Sequence, residues 1–234
     1  MIAPFRGELP FGAYDIFTEK IRAYAEGYGF DYGFCRFYEQ DGGKAVICSY
    51  YGDAAAALTG ELSPSQAEEL SAFLTCGQFN RLLMPWEMCS ALGLEDRAER
   101  RSIMRGGIAE QAPLRSEVPL DSVYDIVRTG FDIDYETWYT DMSHMTRHGI
   151  AKAYLLDGAC AVRMYASRGI AYVSYVCTLP GLRGSGLGTK LLRGVCAEER
   201  KNGFTVHIVC EDSLRGFYER AGFSLCGYAA CDIG

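Results

Sequence analysis

The 234-residue chain has no run near the ~18 consecutive apolar residues that a membrane-spanning helix needs. Its first residues, Met1-Ile2-Ala3-Pro4-Phe5-Arg6-Gly7-Glu8, lack the apolar stretch of a secretory leader. The two absences predict a soluble, cytoplasmic protein with no membrane partner. No block of Lys or Arg occurs, and the net charge is -7, so the electrostatic footprint of a nucleic-acid binder is missing too. Ten cysteines are present without a single C-x-x-C pair; they are scattered singly, several in apolar stretches such as Val46-Ile47-Cys48 and Ile208-Val209-Cys210. That spacing offers neither paired zinc ligands nor a disulfide framework, and it reads as reduced thiols buried as small hydrophobes. What remains is an ordinary globular composition, 49% hydrophobic and 23% charged. The length allows one large domain or two small ones.

The charge is uneven: residues 1–119 carry 11 basic and 17 acidic side chains, residues 120–234 carry 12 and 13. Punctuation along the chain divides it at the same place. Phe11 to Tyr28 has helical periodicity ended by glycines; Tyr32 to Tyr38 and Lys44 to Tyr51 flank Asp41-Gly42-Gly43 as a hairpin, with a short strand over Ala54 to Leu58. Ser63-Pro64-Ser65-Gln66 opens a helix to about Thr75, with Ser63 as cap, Pro64 in the first turn and Gln66 completing a capping box. A short helix after Pro85 and a strand near Arg101 to Arg105 follow. Gly106, Gly107, Pro113 and Pro119 then interrupt the pattern, which predicts domains over 1–111 and 112–234.

The second domain reads as an α/β unit on a central sheet. Its elements are helices over Asp121 to Arg128 and Tyr135 to His148, then a hairpin of Ala151 to Asp157 and Ala159 to Ser167 about Asp157-Gly158. A strand over Ile170 to Thr178 and a helix over Leu187 to Lys201 come next, followed by a strand over Phe204 to Cys210, a helix over Ser213 to Ala221 and a strand over Phe223 to Tyr228. One echo joins the halves: Ala13-Tyr14-Asp15-Ile16 resembles Val123-Tyr124-Asp125-Ile126, each ahead of a helix, a hairpin and a strand, as a duplication would leave.

The most informative stretch is Tyr175-Val176-Cys177-Thr178-Leu179-Pro180-Gly181-Leu182-Arg183-Gly184-Ser185-Gly186-Leu187-Gly188-Thr189. A strand, a glycine-rich loop and a helix start in succession bring consecutive backbone N–H groups and the positive end of a helix together, which makes a phosphate cradle. Leu187 follows Gly186 where a P-loop needs lysine, and no acid closes a second strand as the dinucleotide fingerprint requires. The run R-G-x-G-x-G after a strand resembles instead the pyrophosphate loop of the GNAT superfamily of acetyl-CoA-dependent N-acyltransferases. A second segment thirty residues on, Phe217-Tyr218-Glu219-Arg220-Ala221-Gly222-Phe223, is similar to that family's F-Y-x-x-x-G-F helix-to-strand passage.

The resemblance covers about residues 120–234 and implies a mixed, mostly antiparallel sheet flanked by helices. It does not reach the first half by motif; there the echo alone hints at a degenerate GNAT-like copy, which would make a tandem chain. That copy has no cradle, because Gly60-Glu61-Leu62-Ser63-Pro64 stands where the loop would be. The resemblance further implies that Val176, Cys177 and Thr178 hold the pantetheine arm and polarise the thioester carbonyl. Arg183, Gly184, Ser185, Gly186, Leu187, Gly188 and Thr189 would hold the pyrophosphate, with Phe217 lining the cofactor, and Tyr218 would be the general acid for the departing thiolate. The acceptor is then a small-molecule or peptide amine. Its base is open: Ile170 to Thr178 contains no carboxylate, which leaves Glu211, Asp212 and Asp141 as candidates beside a water chain. Six acids between 121 and 141, against Arg128 alone, favour a cationic acceptor or form a solvated helix face. His144 and His148 lie four apart with no third ligand spaced to join them, so no metal is expected. The competing reading is a non-catalytic acyl-CoA sensor or interaction module; O-acyl transfer is a third.

Overall fold

The computed structural model describes residues 1–9, 15–77, 79–115 and 118–232. In chain order the first elements are β1 (Ile2–Pro4), α1 (Ile16–Tyr28), β2 (Cys35–Gln40), β3 (Ala45–Tyr50), β4 (Asp53–Leu58), α2 (Pro64–Cys76), β5 (Arg81–Pro85), α3 (Trp86–Ala91) and β6 (Glu99–Gly106). The rest are α4 (Leu120–Val127), α5 (Tyr135–Arg147), β7 (Lys152–Leu156), β8 (Ala159–Ser167), β9 (Ile170–Thr178), α6 (Leu187–Lys201), β10 (Thr205–Cys210), α7 (Arg215–Ala221) and β11 (Phe223–Cys231). Short 3-10 turns cover Glu95–Arg97, Pro180–Leu182 and Asp212–Leu214. None of the described helices is long and apolar enough to cross a membrane.

The chain forms two compact units, Met1–Ser102 with the end from Gly227, and Ile103–Cys226. It changes unit within β6 and again within β11. In the first unit the strands run β1-β2-β3-β4-β5 and then the end of β11; the first four pair antiparallel and β4 pairs β5 in parallel. Tyr51 (φ 48°) and Gly52 (φ 90°) make the two-residue turn between β3 and β4, both in the left-handed region that such a turn requires. The capping box read from the sequence at α2 is present: the Gln66 N–H donates to Ser63 Oγ and the Ser63 N–H to Gln66 Oε1. Alanines 54–57 of β4 are all buried, and Ile47, Leu70, Leu82, Met84 and Met88 fill a core with Ala54 and Ala56.

The second unit's strands run β7-β8-β9-β10, then β6, then the start of β11. Both hairpins close on two residues of positive φ, Asp157-Gly158 and Arg168-Gly169. The parallel pairing of β9 with β10 is joined through α6, whose Leu191, Leu192 and Val195 pack on Val173, Val206, Ile208 and Phe223. The chain is thus a mixed, mostly antiparallel sheet structure flanked by helices, as the sequence predicted. The two units repeat one connectivity: two antiparallel hairpins, a crossover helix and a parallel fourth strand. Two strands went unread, β1 and β5, and β11 extends three residues past the expected Tyr228. The start of the helix read from Phe11, and half of the Ala13–Ile16 echo, lie outside the described residues.

Candidate active site

The site starts where two strands part. Hydrogen-bonded pairing of β9 with β10 covers only Ile170–Tyr172 against Thr205–His207, so Val173 to Thr178 run on without β10. On its other side β9 skips register against β8 between Ser174 and Cys177, placing Tyr175 and Val176 opposite one residue. Tyr175 takes φ 48°, rare for a bulky L residue, as the bulge re-aims the strand. Its ring meets Phe131 edge to face at 5.3 Å. The parting leaves the β10-facing backbone of Val176, Cys177 and Thr178 without a ladder partner.

The glycine-rich loop follows directly. The Ser185 hydroxyl donates to Leu182 O at 2.6 Å, Gly184 and Gly186 take φ 77° and 82°, and Gly186 begins α6 with no side-chain cap. A Cβ at either glycine would meet no atom within 4 Å, so it is the backbone conformation and not crowding that requires glycine there. The first N–H groups of α6, at Leu187, Gly188 and Thr189, therefore end a helix dipole with no side chain competing for them. Gly188 differs: a Cβ there would lie 3.3 Å from both Phe217 Cζ and Thr178 Oγ1, so the loop, the end of β9 and α7 converge on it.

Phe217 and Tyr218 lie on α7, which Arg193 of α6 holds by donating to the carbonyls of Ala221 at 3.3 Å and Arg220 at 3.2 Å. Tyr218 is 6% exposed, with ring centres 5.0 Å from Phe217 and 5.9 Å from Phe223. Its hydroxyl makes no hydrogen bond among the described residues. Burial, with Cys210 adding to it, pushes the phenol well above its ordinary value, so it is protonated at neutral pH.

Residues 146–225 match the family model of the acetyltransferase (GNAT) domain, a span that holds the parted strands, the loop and Tyr218. Over these residues the chain is similar to a GNAT acetyltransferase domain. No curated protein matches it. Among solved structures, a GCN5-related N-acetyltransferase from Kribbella flavida is similar over 95% of this chain and 97% of its own at 15% identity, with a TM-score of 0.62. An acetyltransferase of the GNAT family from Colwellia psychrerythraea aligns over 100% of both chains at 13% identity and 0.57. One from Novosphingobium aromaticivorans covers 86% of this chain and 88% of its own at 19% and 0.51. At these identities the likeness is one of fold.

Arg183 is exposed and donates from Nε to Thr178 O at 3.1 Å and from Nη2 to Thr129 O at 3.2 Å. Cys177 is buried, its Sγ 3.5 Å from Thr129 Oγ1, and is one of eight buried thiols among the ten, only Cys76 and Cys226 being exposed. Glu211 is exposed at the end of β10, where its carboxylate accepts from the Ser213 hydroxyl at 3.3 Å. Asp141 is half-buried on α5 and helps hold up the pKa of His144, which burial and His148 lower. The two histidine rings stand edge to face at 4.7 Å.

The acids of 121–141 are largely engaged. Asp134 caps α5 by accepting from the Thr137 N–H at 2.9 Å, which holds its carboxyl below the ordinary value. Asp125 pairs with Arg128 at 3.3 Å, and Asp121 accepts the Tyr135 hydroxyl at 2.6 Å. Sequence reasoning missed Thr129, Gly130 and Phe131, which sit against the end of β9. The only local signal for them was the glycine, whose Cβ would come within 2.9 Å of Cys177 Sγ.

Proposed function

We propose that the chain is an N-acetyltransferase that moves an acetyl group from acetyl-CoA directly to a primary amine of a small molecule or peptide. The observation that carries this reading is the uncapped start of α6 at the mouth of the parted β9 and β10, with the protonated Tyr218 joined to it through Phe217 and Gly188. A pyrophosphate needs N–H donors with no built-in acceptor and room for close approach, and the open space at Gly184 and Gly186 fits that need. Acetyl-CoA, when bound, supplies a thioester carbonyl and a thiolate leaving group.

The backbone from Arg183 to Thr189 binds the two phosphates, and the unladdered groups of Val176 and Thr178 orient the pantetheine arm. An N–H of the Val176-Cys177-Thr178 stretch faces the carbonyl oxygen and stabilises the charge that grows there. Tyr218 holds a proton for the sulfur. The acceptor, with an unperturbed amine pKa of ~10.4, must lose a proton first. Glu211 and Asp141 are the carboxylates that would take it, directly or through water. One acetyl-CoA binds per chain. The repeated connectivity supports reading the first half as a decayed copy, and there Ser63 takes the Gln66 N–H and Pro64 has no N–H to offer at the start of α2.

A second reading, a non-catalytic acyl-CoA sensor, is favoured by one fact: β9 has no carboxylate. Thiol release from acetyl-CoA across a panel of amines decides between them. Amine-dependent release is expected; tight CoA binding with no release on any amine would leave the sensor.

A further inference from the structure

Arg183 heads the glycine-rich run, where a guanidinium beside a phosphate cradle reads naturally as a phosphate ligand. Two of its five N–H donors are already committed to backbone carbonyls. Nε serves Thr178 O, the last residue of β9, and Nη2 serves Thr129 O, 54 residues earlier in the turn after α4. The carbonyl it grips there is itself fixed. Thr129 Oγ1 donates to Ile126 O at 2.7 Å and stands 3.5 Å from the Cys177 thiol, which donates to it. Gly130 is packed so closely that a Cβ would come 2.9 Å from Cys177 Sγ and 4.0 Å from Arg183 Nη2. The next residue, Phe131, lies on the bulged Tyr175. One guanidinium thus ties together the start of the donor loop, the end of the parted strand and the 128–134 segment on the α4–α5 side of β9.

We infer that Arg183 is a positioning residue, a strap that holds the 128–134 segment against the donor site, and that this is its main contribution in place of phosphate charge. The inference rests on the acetyltransferase reading for its catalytic consequence. The chemistry favours Arg for the task, since a planar fork presents divergent N–H groups to two carbonyls, whereas the compact ammonium of Lys is a single point donor. A phosphate ligand, by contrast, tolerates Lys well.

The test compares wild type, Arg183→Lys and Arg183→Ala with two donors, acetyl-CoA and S-acetyl-pantetheine, which lacks every phosphate. Both variants are expected to lose turnover about tenfold or more with either donor, the scale of a charge-assisted hydrogen bond. Independently of activity, hydrogen–deuterium exchange on the ligand-free proteins is expected to speed up by a similar factor at 128–134 in both variants. Protection within the buried face of α6, around Leu191 and Leu192, should be unchanged and so reports an intact fold. Loss confined to acetyl-CoA, rescue by Lys, or unchanged exchange at 128–134 would each overturn the strap. If wild type turns over neither donor, the acetyltransferase reading fails while the exchange result still decides the strap.

Discussion

Tyr218 is buried, yet its hydroxyl makes no hydrogen bond among the described residues, and in the proposed reaction it is the group that hands a proton to the leaving thiolate. Tyr218→Phe is therefore expected to lower kcat by about 100-fold or more while changing stability by less than about 1 kcal/mol, since no hydrogen bond is lost. Steady-state rates beside a thermal melt measure both. Burial raises the folded-state phenol above its unfolded value of ~10. The protonated form is thus the one the fold favours. The proton is available across pH 6 to 9, and the stability it contributes is full below about pH 10 and lost as pH rises beyond it. Tyr154, raised by burial and by donating to Glu199, acts in the same direction. The position of Tyr218 was legible in Phe217-Tyr218-x-x-x-Gly222-Phe223; its burial was not, because that depends on Cys210 and Phe223 arriving from two strands. Arg183 was legible as a residue but not in its partners, since nothing local announces a carbonyl 54 residues away. The left-handed Tyr175 was illegible for a different reason: glycine marks that conformation in a sequence and tyrosine does not.

Two helices of the same chain start in opposite ways, and the contrast separates structure from binding. α2 starts with Ser63 and Gln66 satisfying each other's backbone, whereas α6 starts at Gly186 with no side chain on its N–H groups. Ser63→Ala is expected to cost about 1 kcal/mol of stability and to leave the KM for acetyl-CoA unchanged. Gly186→Ala forces a Cβ into φ 82°, at about 1–2 kcal/mol, and should raise that KM as the loop relaxes away from its geometry. Chemical denaturation and donor titration of the two variants check the pair; equal effects on KM would sink the distinction. Elements with strong local chemistry were read closely: the Asp157-Gly158 hairpin, the α2 capping box, and β9 and α6 to the residue. β1, three residues long, and β5, which ends in Pro85, are held by their neighbours across the sheet, and so left little pattern of their own.

Over the whole chain the acidity and the chemistry fall apart from each other. Most of the net -7 lies in the first 119 residues, while the loop, the parted strands and Tyr218 all lie in the nearly neutral remainder. The glycine and proline cluster at 106–119, expected as the boundary, falls within the second compact unit. The two crossings between compact units, inside β6 and inside β11, were not legible, because a strand that passes from one unit to the other has no interruption in its sequence. Both units repeat the hairpin, crossover and parallel-strand order, yet only the second has an uncapped helix start beside its parted strands. Calorimetric titration of the full chain with acetyl-CoA tests this most directly. One site per chain is the expected result; no binding, or two equivalent sites, would contradict it.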